Sequence, residues 1–353
     1  MNWDADLLSP VLSAVGCLMA FAIVYAGMPK LLIKLRKENI LGRDMLKAGD
    51  VLVPESGGII VVLAVIVSLS ITTYLFVTYG YSADATRLPG KTTMQVWMLA
   101  SVATLLAVGF IGLVDDYLSI PQKYKVLLPA FASLPLALAF FGETEFYRTD
   151  FWIPFYGYLP LGILYPLVLI PVGVTAAANL TNMYAGLNGL EMGSGLIACS
   201  STCIAAAIIG RWEAVIILAP MVGALLAFLL FNSYPARVFP GDVGTLVIGT
   251  SLALASIVGR IKIIAVIALA PQIINFLMYL PKTRFFMANP NAKFASIRED
   301  GTLKAPEGAE RGSLYFLLMH LYRKDERWHV RVHWAICLAA GLAALIVGIL
   351  VYR

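Results

Sequence analysis

Ten stretches of the chain are too apolar for water and most are too long for strands. They fall at roughly 7–28, 57–80, 94–114, 126–141, 159–178, 192–210, 214–231, 243–258, 263–280 and 333–352. About 20 apolar residues is what an α-helix needs to cross the hydrocarbon of a bilayer. The pattern predicts an all-α, polytopic integral membrane protein with about ten transmembrane helices. The fourth and eighth runs are short, which points to tilted helices or to helices extended into their loops. Asp4 and Asp6 precede the first run where a cleaved signal needs a basic start, so it reads as a retained helix.

Ten crossings put both termini on one side and the loops after helices 1, 3, 5, 7 and 9 on the other. Lys and Arg divide unequally between the sides. The first loop holds six, the third two, the seventh one and the ninth ten, together nineteen of the chain's 26. Positive charge collects on the cytoplasmic side, so the odd loops are predicted to be cytoplasmic and the termini to face outward. The ninth loop, 281–332, is the only extended polar stretch and is too small for a separate domain. Residues 1–353 read as a single integral membrane domain with 281–332 as a cytoplasmic loop within it.

Composition sharpens this picture. Of 353 residues 60% are hydrophobic and 13% charged, against about 25% charged in soluble domains, which excludes an ordinary water-soluble enzyme. The net charge of +5 serves membrane orientation and gives no reason to expect nucleic acid as a partner; the partners expected first are membrane lipids. Cys17, Cys199, Cys203 and Cys337 all lie inside apolar runs and form no C-x-x-C pair, so neither disulfides nor zinc are expected. His320, His329 and His333 lack a metal-like spacing and read as interfacial.

Polar residues that need an explanation gather at the odd-numbered loops, hence at one membrane face. Asp115 and Asp116 end an apolar helix, where the helix dipole and their mutual repulsion disfavour both charges; a cation nearby would relieve this. A solvated acidic turn is the plainer alternative. Lys125 follows a turn marked by Pro121 and can return toward the carboxylates, or snorkel to headgroups. The segment Asn179-Leu180-Thr181-Asn182-Met183-Tyr184-Ala185-Gly186-Leu187-Asn188-Gly189-Leu190-Glu191 supplies amides for an oxygen-rich ligand and glycines that let backbone N–H groups approach it. A cap and turn accounts for any two of these residues but not for the whole set. Asp242, in Phe239-Pro240-Gly241-Asp242, suits a hard cation or a helix cap, and Phe239 offers a face for stacking a base. Together these groups suit a divalent cation and phosphoryl chemistry on a lipid reactant.

The ordered set of Asp115-Asp116 with Lys125, Asn179 to Glu191, Phe239 to Asp242 and Pro271-Gln272-Ile273-Ile274-Asn275-Phe276-Leu277 resembles the polyprenyl-phosphate N-acetylhexosamine-1-phosphate transferases. The likeness runs from Pro54-Glu55-Ser56 to about Leu280 and is strongest to the eukaryotic and archaeal dolichyl-phosphate GlcNAc-1-phosphate branch. It implies a ten-helix fold with its active site on the cytoplasmic face. It also implies Mg²⁺ dependence, with Mn²⁺ as a substitute, and attack of a polyprenyl or dolichyl phosphate on the β-phosphorus of a UDP-sugar. The products would be UMP and a lipid-diphosphate-sugar that starts lipid-linked glycan assembly for protein N-glycosylation. By matching position, Asn182 and Asp242 would hold the metal and Lys125 would neutralise phosphate charge. Asp115 and Asp116 would orient or deprotonate the lipid phosphate. Asn188 with the Gly186 backbone would read uracil and Phe239 would stack on it, with Glu55 and Asn179 helping to shape the donor site.

The ninth loop departs from the family. Where the eukaryotic enzymes carry Arg-His-Arg, this chain has Asn291-Ala292-Lys293, so Lys293 would take over part of the donor charge, with Arg298 as a second candidate cation. The chain's compactness favours an archaeal enzyme at the cell membrane over an endoplasmic-reticulum one, and the resemblance leaves room for a homodimer. A transporter of lipid-linked or nucleotide sugars, and a transferase of the same family using another UDP-sugar, remain the alternatives.

Overall fold

A computed structural model of the chain describes residues 5–47, 49, 51–81, 90–141, 150–153, 157–288 and 295–352. Backbone amides in hydrocarbon find no water, and a helix satisfies them internally, so the apolar runs become helices. In chain order these are α1 (Ala5–Lys37), α2 (Gly58–Leu75), α3 (Lys91–Leu118), α4 (Gln122–Lys125), α5 (Leu128–Ala132) and α6 (Leu134–Phe141). There follow α7 (Ile170–Asn182), α8 (Leu190–Ile208), α9 (Trp212–Asn232), α10 (Gly241–Val258), α11 (Lys262–Ala268), α12 (Ala270–Tyr279), α13 (Thr283–Ala288), α14 (Leu314–Leu321) and α15 (Glu326–Tyr352). Three short antiparallel hairpins complete the fold: β1 (Leu41–Arg43) with β2 (Leu52–Pro54), β3 (Asp150–Ile153) with β4 (Gly157–Pro160), and β5 (Ser296–Ile297) with β6 (Leu303–Lys304).

Among the described residues, eight helices are long and apolar enough to cross a bilayer, and α11 with α12, bent by 62° at the break between them, is either a broken ninth span or a re-entrant loop. The chain is a multi-pass membrane protein. The run expected at 159–178 starts instead on β4 and reaches α7 through a π-helical turn at Tyr165–Leu169. Pro160, Gly162, Pro166 and Pro171 explain the delay, because proline lacks an N–H and disfavours helix in the residue before it. The last helix begins at Glu326 rather than 333.

α10 is the axis of the bundle. Of its apolar window 89% is buried, against 22% for α15 at the rim, and α7, α3, α9 and α2 all pack on it. Outward apolar side chains such as Leu18, Phe110, Leu138 and Leu350 are more than half exposed, which suits hydrocarbon as the surrounding solvent. Close approach at the centre needs small residues. A Cβ on Gly112 of α3 would stand 2.6 Å from the Val243 Cα of α10, so glycine lets the end of α3 meet the start of α10 backbone to backbone.

At that end of the bundle the ninth loop folds down as a cap with its own apolar centre. Phe286, Leu303, Ala309, Phe316 and Met319 pack there with Leu46 of the first loop, Tyr184, Leu187 and Leu190 of the fifth, and Val330 and Cys337 of α15. His329 and His333 are fully buried beneath this cap, not interfacial as expected, because α15 starts early and carries them into the protein; His320, on α14, is exposed. All four cysteines are free. If the capped end is cytoplasmic, an impermeant maleimide applied to intact cells will label Thr92→Cys, at the opposite end of α3, and spare Glu307→Cys in the cap. Labelling in the reverse order would invert the orientation.

Candidate active site

The site forms where helix ends converge. Asp115 and Asp116 end α3, and Asp242 sits in the first turn of α10. Gly241, at φ +67, turns the chain into α10 in a left-handed conformation that glycine adopts without strain. Pro240 precedes α10 and brings no side-chain cap. The cap comes from another helix: the Asp242 N–H donates to Asp116 Oδ1 at 2.6 Å. Asp242's own side chain is therefore free of the capping role its position suggests. Beside it a short backbone ladder joins two loops. The Phe239 N–H donates to the Pro54 carbonyl at 2.8 Å, Gly57 N–H to the Phe239 carbonyl at 2.9 Å and Gly58 N–H to the Pro240 carbonyl at 2.8 Å. This ladder sets Glu55 and Phe239 next to one another in the cavity wall.

Lys125 returns to the carboxylates. Ser119 adopts a left-handed conformation at φ 50, and the Ile120 N–H donates to Asp115 Oδ1 at 2.8 Å, which turns the chain back toward α4. The Lys125 ammonium then ion-pairs with both Asp115 and Asp242. Asn179 lies outside the cavity wall. Its amide donates to the Thr175 carbonyl at 2.8 Å and the Val126 carbonyl at 3.2 Å, so it tethers the Lys125 segment to α7. Asn182 Oδ1 accepts from the Thr245 hydroxyl at 2.9 Å, joining the end of α7 to the first turns of α10.

The other end of the site is the turn from Met183 to Gly189, held by partners far away in sequence. The Asn188 N–H donates to Glu326 Oε1 at 2.6 Å, and Asn188 Nδ2 donates to Asp44 Oδ2 at 3.0 Å. Lys47 joins the two carboxylates, with Nζ 2.5 Å from Glu326 Oε2 and 3.4 Å from Asp44 Oδ2. Trp334 Nε1 donates to the Gly189 carbonyl at 3.2 Å, and the Tyr184 hydroxyl lies 2.6 Å from His333 Nδ1. Asp44, Lys47 and Glu326 do not figure among the residues expected from the sequence.

These two ends share one cavity of about 590 Å³. Its wall includes Glu55, Asp115, Asp116, Lys125, Asn182, Gly186, Asn188, Phe239 and Asp242 from the sequence-derived set, and adds Arg43, Asp44, Leu46, Glu191 and Thr245. Lys293 lies outside the described residues. Arg298 is tied back onto its own hairpin, its guanidinium donating to the Thr302 hydroxyl at 3.2 Å and the Leu303 carbonyl at 2.5 Å, and is not in the wall. Among the described lining residues six are carboxylates and only Arg43 and Lys125 are cations. Burial, with the nearby Asp116 charge, pushes Glu55 above the ordinary carboxylate range. The wall draws on the end of α3, the end of α7 and the start of α10 rather than on mid-helix positions. That placement speaks against a transporter, whose site belongs near the bilayer midplane.

The profile of glycosyl transferase family 4 matches residues 96–260, a span that contains Asp115, Asp116, Lys125, the Asn179–Glu191 segment and Asp242. A Sulfolobus acidocaldarius protein, provisionally named a UDP-N-acetylglucosamine–dolichyl-phosphate N-acetylglucosaminephosphotransferase, is 32% identical over 317 residues, 88% of each chain. The Dictyostelium discoideum protein named for the same activity is 28% identical over 74% of this chain and 69% of its own. A phospho-N-acetylmuramoyl-pentapeptide-transferase of Halalkalibacterium halodurans is 32% identical over 61% of this chain and 63% of its own.

Proposed function

The chain belongs to glycosyl transferase family 4, and from that premise we propose that it transfers N-acetylglucosamine 1-phosphate from a UDP-sugar to dolichyl phosphate or a related polyprenyl phosphate, releasing UMP. The carrying observation is a single cavity with a lysine bridging two carboxylates at one end and an amide-bearing turn at the other. In this reading an oxygen of the lipid phosphate attacks the β-phosphorus of the donor. The new P–O bond forms as the bond to the bridging oxygen breaks, and that oxygen leaves with UMP. Lys125 neutralises the charge that spreads over the phosphoryl oxygens. Asn188 and the Gly186 backbone bind the base, Phe239 stacks on it, and Glu55 helps to shape the donor pocket.

A donor diphosphate is an anion entering a wall of carboxylates, so it needs more positive charge than Lys125 and Arg43 provide. The oxygen donors in the wall fit a hard cation, and among the described residues no thiolate or imidazole lines it. Asn182 and Asp242 would hold Mg²⁺, or Mn²⁺ in its place, and the ion would supply charge to the diphosphate oxygens. Among the described residues no three His, Cys, Asp or Glu side chains converge as a ready cage. An ion held there would draw its other ligands from diphosphate and water, as Mg²⁺ commonly does. Lys293, in place of the eukaryotic Arg-His-Arg segment, adds a point charge without the bidentate fork of arginine.

The test is direct. Purified protein given UDP-N-acetylglucosamine, polyprenyl phosphate and Mg²⁺ is expected to release UMP and form a lipid-linked sugar diphosphate, with little turnover when chelator replaces the metal. No UMP from any member of a UDP-sugar panel would remove the transferase reading.

A further inference from the structure

Asn188 is buried at 4% exposure in the wall of the cavity, and its side-chain amide has two different ends. A carboxylate at neutral pH can only accept, so the side facing Asp44 Oδ2 at 3.0 Å must be the NH₂ group. The carbonyl oxygen is then turned away from Asp44, and it accepts no hydrogen bond from the described residues. Asp44 is itself held firmly. Its Oδ1 accepts the Leu46 N–H at 3.1 Å, and Lys47 draws its Oδ2 toward Glu326. Glu326 in turn fixes the Asn188 backbone N–H. Rotating the amide by 180° would set an oxygen against a carboxylate, trading a hydrogen bond for a repulsion inside a buried network.

We propose that Asp44 is a specificity-determining positioning residue: by locking the Asn188 amide with its carbonyl toward the ligand, it selects a nucleobase that presents an N–H there, uracil, over one that presents a bare ring nitrogen, cytosine. Uracil N3 carries a hydrogen between two carbonyls, whereas cytosine N3 is a lone-pair acceptor beside an amino group. An amide oxygen bonds the first and repels the second. The inference rests on the proposed nucleotide donor, and it assigns the choice of base to a residue of the first loop, at the Asn188 end of the cavity.

Asp44→Asn keeps the size of the side chain but lets position 44 donate as well as accept, so Asn188 can turn either way. Asp44→Ala frees the amide altogether and serves as the second variant. Competition of UDP and CDP for a fluorescent nucleotide probe, followed on the full-length protein, reads the preference without turnover. The wild-type protein is expected to favour UDP by about tenfold or more, the scale of one polar mismatch. Both variants should lose most of that ratio, with Asp44→Asn gaining affinity for CDP. In turnover with UDP-N-acetylglucosamine the loss should appear in KM and spare kcat. A ratio unchanged in either variant, or equal binding of UDP and CDP by the wild-type protein, overturns the proposal. UDP preference without UMP release would instead sink the transferase reading and leave the role of Asp44 standing.

Discussion

Replacing Asp242 by alanine is expected to lower UMP release by at least about a thousandfold while leaving the protein folded. The size follows from removing charge stabilisation at the reacting phosphates, where loss of one preorganised electrostatic group commonly costs about 10²–10³ and loss of a metal ligand adds to this. Stability should change little, for three reasons visible in the structure. Asp242 gives no side-chain cap to its helix. Lys125, its ion-pair partner, keeps Asp115. The cavity wall also loses one of six crowded carboxylates, which relieves repulsion. Activity and melting temperature measured on the same preparation separate the two effects. UMP release within about tenfold of wild type would eliminate Asp242 from the reaction. A large fall in melting temperature would show that its role is structural.

The transmembrane plan was legible because hydrocarbon imposes a simple rule, a long apolar run, and the runs at 57–80, 94–114, 214–231 and 243–258 coincide closely with α2, α3, α9 and α10. The rule fails where polarity is buried inside protein. Glu326 and His329 belong to α15 and face the core, yet with Arg327 and Arg331 beside them they read as loop. It fails again where proline breaks a run, as before α7 and between α11 and α12. The site was legible to a similar depth. Asp115, Asp116, Lys125, Asn182, Asn188 and Asp242 stand out because charge and amides are costly beside apolar helices and so call for an explanation. Asp44, Lys47 and Glu326 sit in segments already rich in charge, so nothing marks them. Their links to Asn188 and to one another bridge 144 and 138 residues, and as many as 279, a separation at which spacing carries no information.

Asp115 and Asp116 look equivalent in sequence, and their contacts pull them apart. Asp116 accepts the first backbone N–H of α10 after Gly241, so Asp116→Ala should orphan that donor and lower the melting temperature by an amount equivalent to about 1–3 kcal/mol. Asp116→Asn keeps an acceptor oxygen and should restore most of the stability. Asp115 instead holds Lys125, and Asp115→Asn should cut kcat by about a hundredfold or more with a small change in stability, since Lys125 retains Asp242. The same variant distinguishes positioning from proton abstraction. A phosphate monoester has a second pKa of about 6, so the attacking lipid phosphate is already mostly a dianion at neutral pH and a general base has little left to remove. The deficit of Asp115→Asn should therefore stay constant from about pH 7 to 9. If Asp115 were the base, hydroxide would replace it, and the variant's rate would climb toward the wild-type value as the pH rises. A climb of that kind would return Asp115 to proton transfer and leave Lys125 to be positioned by Asp242 alone.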